Sequence, residues 1–262
     1  MRSRDRRVMI DAMDLDDESP YPRRRDVLAV AAALAGALLL RPGGARAQAS
    51  GGTPTRIGMI GSGRLGGAVG ALWVKAGHPV LFASRDPDQT AALVARLGAP
   101  ARAGSVAEAI DFGDVVFLAV PYAAMPEIGR DFGAKLSGKV VLDAGNAVES
   151  RDGAIAGEAE QNGIGLTSQK YLPGARLVRA FNTLGFTVLE REANRAEPRL
   201  AIPIAGDDAV AVQIAASLVR DAGFDPVIVG KLADARRFQR GAAGYGQAVS
   251  AAELRKTLSL AP

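Results

Sequence analysis

Arg56-Ile57-Gly58-Met59-Ile60-Gly61-Ser62-Gly63-Arg64-Leu65-Gly66 is the stretch whose reading decides the fold. An apolar run ends on G-x-G-x-x-G, and an amphipathic pattern follows to about residue 77. A second apolar run, Val80–Ala83, comes on schedule for a strand–helix–strand unit. Alone, such a glycine triplet is a common turn; in this context each glycine has a task. Gly61 permits the tight turn, Gly63 lets backbone approach a pyrophosphate, and Gly66 lets helix and strand pack closely. Ser62, Arg64 and Leu65 complete the loop, whose helix would offer free N–H groups and a partial positive charge to an anion.

Outward from this loop the alternation continues. Further strands are predicted at Val115–Val120, Val140–Asp143, Leu177–Phe181, Leu200–Ile204 and Pro226–Val229. Helices are predicted near residues 64–77, 87–97, 105–111, 122–133, 185–195 and 208–222. The strand runs are short and continuously apolar, as expected where both faces are covered. The pattern predicts an α/β fold, a Rossmann-type doubly wound and mainly parallel sheet with a small C-terminal lobe. Residues 56–150 would form the dinucleotide-binding domain, and residues 151–262 the remainder of the sheet and the small C-terminal lobe.

The end of the second strand selects the nucleotide. An NAD site usually carries Asp or Glu there, whereas this chain has Ser84-Arg85. A hydroxyl and a guanidinium suit a 2′-phosphate, which a carboxylate would repel. Arg64 offers a second cation, and Asp86, just before Pro87, reads as a helix cap. NADP, as NADPH in the reduced form, is the expected cofactor.

The 262 residues include no cysteine and one histidine, which removes disulfides, thiolate metal sites and a cysteine nucleophile. No metal site is expected, and no acid–base pair stands out, so catalytic residues are not assigned. His78 sits in a helix-to-strand turn and reads as structural. Asp207-Asp208 reads as a helix cap rather than a metal site. Tyr122, Tyr171 and Tyr245 could serve as proton donors or stacking groups, but read first as packing residues. The net charge of +4 lacks an aromatic-interleaved basic stripe, so nucleic acid is not an expected partner.

Residues 1–47 read as a signal rather than fold. Arg24-Arg25-Asp26-Val27-Leu28 resembles the twin-arginine consensus, and the apolar run Val27–Leu40 is too short for a stable membrane span. Ala45-Arg46-Ala47 fits a cleavage site that would leave Gln48 first. The alternatives are an ordinary Sec signal or an uncleaved anchor. These residues hold nine of the 32 basic and seven of the 28 acidic residues, so the rest carries about +2. Residues 48–55 have linker composition. The expected location is periplasmic, with the twin-arginine machinery as an export partner.

Five segments together resemble one family. Gly61–Gly66, Ala83-Ser84-Arg85-Asp86, Leu118-Ala119-Val120-Pro121, Asp143-Ala144-Gly145-Asn146 and Val178-Arg179-Ala180-Phe181-Asn182-Thr183 occur in the order seen in deazaflavin-(F-420)-dependent NADP oxidoreductases. The cytosolic reductase domains of STEAP metalloreductases look similar. The resemblance implies that Ser84 and Arg85 bind the adenosine 2′-phosphate and that Val120-Pro121 lies under the nicotinamide ribose. It also implies Asn146 near the nicotinamide, and Phe181, Asn182 and Thr183 near a second redox partner, a flavin, deazaflavin or other small acceptor. A secretion signal is unusual for that family. An exported NADPH-dependent oxidoreductase is the leading reading, with a homodimer also in view. A non-catalytic NADP carrier or sensor and a pyrroline-carboxylate-reductase-like enzyme are the alternatives.

Overall fold

Continuous apolar runs need cover on both faces, and a sheet between two helical layers supplies it. The computed structural model describes residues 54–261; the predicted signal (1–47) and most of the predicted linker lie outside them. Eight strands, β1 (Ile57–Ile60), β2 (Val80–Ala83), β3 (Ala101–Ala103), β4 (Val115–Leu118), β5 (Val140–Asp143), β6 (Arg176–Arg179), β7 (Ala201–Gly206) and β8 (Asp225–Gly230), form one sheet. Their order is β3-β2-β1-β4-β5-β6-β7-β8. All pairs are parallel except β6–β7. The order reverses between β1 and β4, which opens a crevice at the strands' carboxyl ends, where such sheets bind ligands.

The helices are α1 (Arg64–Lys75), α2 (Pro87–Leu97), α3 (Val106–Phe112), α4 (Met125–Leu136), α5 (Glu149–Asp152), α6 (Ala154–Asn162), α7 (Ile164–Tyr171), α8 (Phe186–Glu192), α9 (Ala209–Asp221) and α10 (Ala251–Thr257). One core layer gathers Trp73 of α1, Phe117 of β4, Phe181 and Phe224. Trp73 meets Phe117 and Phe181 edge to face at 5.1 and 5.6 Å, and its indole N–H donates to Leu218 O at 2.8 Å. The other layer combines Ile110, Tyr122 and Ile128 with Leu232, Phe238, Leu254 and Leu258. Residues after β8 thus share a core layer with the first half of the chain.

The predicted helices and strands are present with small shifts. Strand β4 stops at Leu118, because Ala119-Val120-Pro121 leaves the sheet as the lip of the crevice. Strand β6 stops at Arg179; Phe181 adopts a φ of 62°, which no continuing strand residue takes. Reading the sequence missed β3, a three-residue edge strand with two exposed positions and no apolar run. It also missed α5 to α7 and α10. Small and polar residues dominate residues 149–171, and Gly153 and Gly163 interrupt any period. His78 has a structural place: Nδ1 lies 3.0 Å from Thr55 N and Nε2 3.2 Å from Asp221 Oδ2. Asp208 caps α9, accepting from Ala211 N at 2.8 Å. Among the described residues, no helix is long and apolar enough to cross a membrane.

Candidate cofactor site

The three loop glycines are required for three different reasons. Gly61 has a φ of 100°, and a Cβ there would stand 2.3 Å from Ala119 O. A Cβ on Gly66 would stand 1.8 Å from Gly61 O, so this glycine sets the approach of α1 to the loop. A Cβ on Gly63 would meet nothing within 4 Å. The fold therefore does not need glycine at 63; the open space beside it does. Helix α1 starts at this point with no capping side chain and no acid in its first turn. Its N–H groups are left for an anion.

Two loop side chains tie the loop into the fold. Ser62 is buried with its Oγ 2.6 Å from Thr90 Oγ1, which ties the loop to α2. Only its backbone is left to a cofactor. Leu65 packs against the core. Arg64 is exposed and stacks over Phe186 at 5.7 Å.

Beside the loop, Ser84 Oγ donates to Asp86 O at 2.9 Å and lies 2.9 Å from Thr90 Oγ1. Arg85 is exposed and, among the described residues, its guanidinium makes no hydrogen bond or ion pair. Asp86 caps α2, accepting from Gln89 N at 2.9 Å. A groove of about 320 Å³ runs between these groups, lined by Gly61, Gly63, Ser84, Arg85, Val120 and Pro121. Asp86 and Glu127 also border it.

Across the crevice, the ends of β5 and β6 are joined by side chains. Asn146 Nδ2 donates to Asn182 O at 2.6 Å, and Arg151 donates to Asn146 O at 2.5 Å. Asn182 Nδ2 donates to Phe238 O at 3.2 Å, while Gly246 N donates to Thr183 O at 3.0 Å. The chain from Phe238 to Gly246 therefore covers this corner. Phe181, Asn182 and Thr183 are each at most 2% exposed, and the Phe181 ring points into the core. Their side chains are enclosed. A cavity of about 660 Å³ opens instead at Ala147, lined also by Glu149, Gly157, Glu160, Gln239 and Arg240.

Beneath the crevice lies a polar cluster that reading the sequence missed. Asp143 and Arg179, both with fully enclosed side chains, form an ion pair through Oδ2 and Nη1. Asp143 Oδ1 accepts from Gly145 N at 2.7 Å, and Arg179 Nη2 donates to Gly145 O at 2.5 Å. Ser168 Oγ donates to Asp143 Oδ2 at 2.7 Å. The Tyr122 hydroxyl lies 3.0 Å from Ser168 Oγ and 3.1 Å from Ile164 O. Burial, and next the Asp143 carboxylate, hold the Tyr122 phenol above its ordinary pKa. Among the described residues, Arg179 Nε and Asn182 Oδ1 are buried without a partner. Asp143 and Arg179, each a charged residue inside an otherwise apolar strand run, were its sequence signal.

Comparison with known proteins agrees with this architecture. Residues 56–147 match the family described as "NADP oxidoreductase coenzyme F420-dependent". The Metalloreductase STEAP3 of Rattus norvegicus is 28% identical over 190 residues, 70% of this chain and 36% of the relative. The chain thus spans about a third of that relative's length. Among solved structures, hypothetical protein SMa0349 of Sinorhizobium meliloti is 28% identical with a TM-score of 0.66, covering 75% of this chain and 95% of that one. A candidate F420-dependent NADP-reductase of Arthrobacter sp. FB24 has 21% identity and a TM-score of 0.60, over 70% and 87% of the two chains. The similarity to that family is carried by residues 56–147, the part of the chain that holds the glycine loop and β1 to β5.

Proposed function

We propose that the chain is an NADPH-dependent oxidoreductase that moves hydride between NADP(H) and a small acceptor of the flavin or deazaflavin type. The observation that carries this reading is the free Arg85 guanidinium beside the open glycine cradle at Gly63. The residues fit the cofactor. The Gly61–Gly66 backbone and the uncapped start of α1 would hold the pyrophosphate. Arg85, with Ser84 at the strand end, would hold the 2′-phosphate. The bound nucleotide would supply or accept hydride at its nicotinamide. The protein's part is alignment and exclusion of water, which needs no general acid or base.

The acceptor's place is the cavity at Ala147, one residue from Asn146 and bordered by Gln239 next to Phe238. The twin-arginine reading of residues 24–28 adds export to the periplasm as a folded protein. Nucleotide titration tests the cofactor. The protein should bind NADPH at least about tenfold tighter than NADH, as a charge-assisted pair with the 2′-phosphate implies. Arg85→Asp should erase or reverse that preference. Equal affinity of the unaltered protein for both nucleotides would overturn the assignment. Oxidation of NADPH against a panel of flavins, deazaflavin, ferric chelates and carbonyl compounds then identifies the acceptor. A protein that binds NADPH but reduces none of them is a carrier or sensor.

A further inference from the structure

We propose that Tyr122, Ser168, Asp143 and Arg179 form a buried positioning network that sets the nicotinamide half of the crevice and leaves the adenosine half alone. The proposal rests on the NADP reading above. Its first support is cost. Two charges with no exposed surface give little net stability over a well-packed apolar pair, because desolvation offsets their attraction. A leucine and a methionine would fill the same core space. What the charged pair does, and an apolar pair would not, is bind fixed points of the backbone.

Those points are specific. Asp143 takes the N–H of Gly145 and Arg179 takes its carbonyl, so both polar groups of the residue before Asn146 are held. Ser168, on α7, binds Asp143, and Tyr122, the residue after Pro121, binds Ser168 in turn. Proton bookkeeping fixes the direction on one side. Asp143 only accepts, so Ser168 gives it its one proton and accepts on its remaining lone pairs. Tyr122, whose hydroxyl proton is firmly held, is the donor left to supply Ser168 or Ile164 O.

The chain's topology decides which half of a dinucleotide this affects. The groups for adenosine and pyrophosphate sit at the ends of β1 and β2. Every member of the network sits at or packs beneath the ends of β4, β5 and β6, on the other side of the reversal in strand order. The nucleotide's other half must extend that way. Tyr122, Ser168, Asp143 and Arg179 are positioning residues: all are buried and none offers a free surface to a ligand.

Two ligands separate positioning from stability. Adenosine 2′,5′-bisphosphate reports the adenosine half alone, and NADPH reports both halves; calorimetry measures each against the intact protein. Ser168→Ala should keep its bisphosphate affinity within about twofold while NADPH affinity falls about three- to tenfold, the effect of one net hydrogen bond. The bound reduced nicotinamide should also show lower fluorescence anisotropy. Tyr122→Phe removes one oxygen and little volume, so it carries the test if Ser168→Ala fails to fold, and should show a smaller shift of the same kind. Equal losses for both ligands, or no loss for either, would overturn the network's role. So would a parent protein that binds the bisphosphate as tightly as NADPH. A parent that binds neither ligand defeats the cofactor assignment itself, a separate result.

Discussion

At the scale of single residues, glycine shows how function and folding part company. Gly61, Gly63 and Gly66 look alike in the sequence, yet the fold demands only two of them. Gly63 has a φ of −68° and an open space where its side chain would be. Gly63→Val should therefore melt close to the parent temperature while NADPH affinity falls at least about tenfold, because the phosphates lose their charge-assisted backbone contacts. Gly66→Ala should do the opposite first. Its Cβ would press into the Gly61 carbonyl, and overpacking of this kind costs about 1–3 kcal/mol. Thermal melts and nucleotide titrations on the two variants check this; a Gly63→Val protein that binds NADPH like the parent would remove the cradle from the site. Ser62 and Phe181 mark the limit of reading residues from the chain. Both stand inside a motif, but Ser62 turns to Thr90 and the Phe181 ring into the aromatic core. Motif membership located their backbones and said nothing of their side chains' direction.

Among the elements, legibility followed burial. Strands β1, β2, β4 and β5 are buried at every position, so their apolar runs were visible. Edge strand β3 and the short helices α5 to α7 bury few large side chains, and no period betrays them. The polar cluster under the crevice was missed for a related reason. Its members lie on β5, β6, α7 and the turn after β4, and only the sheet order brings them together. Helix α2 was legible to its cap, since Asp86-Pro87 reads as N-cap and first-turn proline. That cap also puts a carboxylate on the groove that Arg85 lines. Asp86→Asn keeps a good capping side chain and removes the charge. The melting temperature should hardly change, and NADPH affinity should rise by up to about fivefold at low salt, the scale of one exposed charge interaction. The gain should shrink as salt screens it. A drop in affinity would mean that Asp86 contacts the nucleotide's hydroxyls instead of repelling its phosphate.

On the scale of the whole molecule, order of assembly connects the fold to the proposed location. The crevice is complete only when β1, β4, β5 and β6 lie side by side and residues 238–246 cover their far corner. A nucleotide supplied in the cytoplasm would be loaded onto a folded protein, which suits a route that exports folded chains. After β6 the chain adds β7 and β8 to the same sheet, where a reductase of the pyrroline-carboxylate type would continue into a large helical domain. The folded unit that would be exported is therefore the one that carries the groove. If Arg24 and Arg25 direct that export, replacing both by Lys should hold the precursor in the cytoplasm, folded and competent to bind NADPH. Exported protein from the unaltered gene should begin at Gln48 on N-terminal sequencing. Fractionation of cells expressing the two forms decides the matter, since unchanged export of the double Lys form would argue for Sec or another route. Retention of a folded, NADPH-binding precursor would separate the signal's role from any role in folding, because Arg24 and Arg25 lie well before β1.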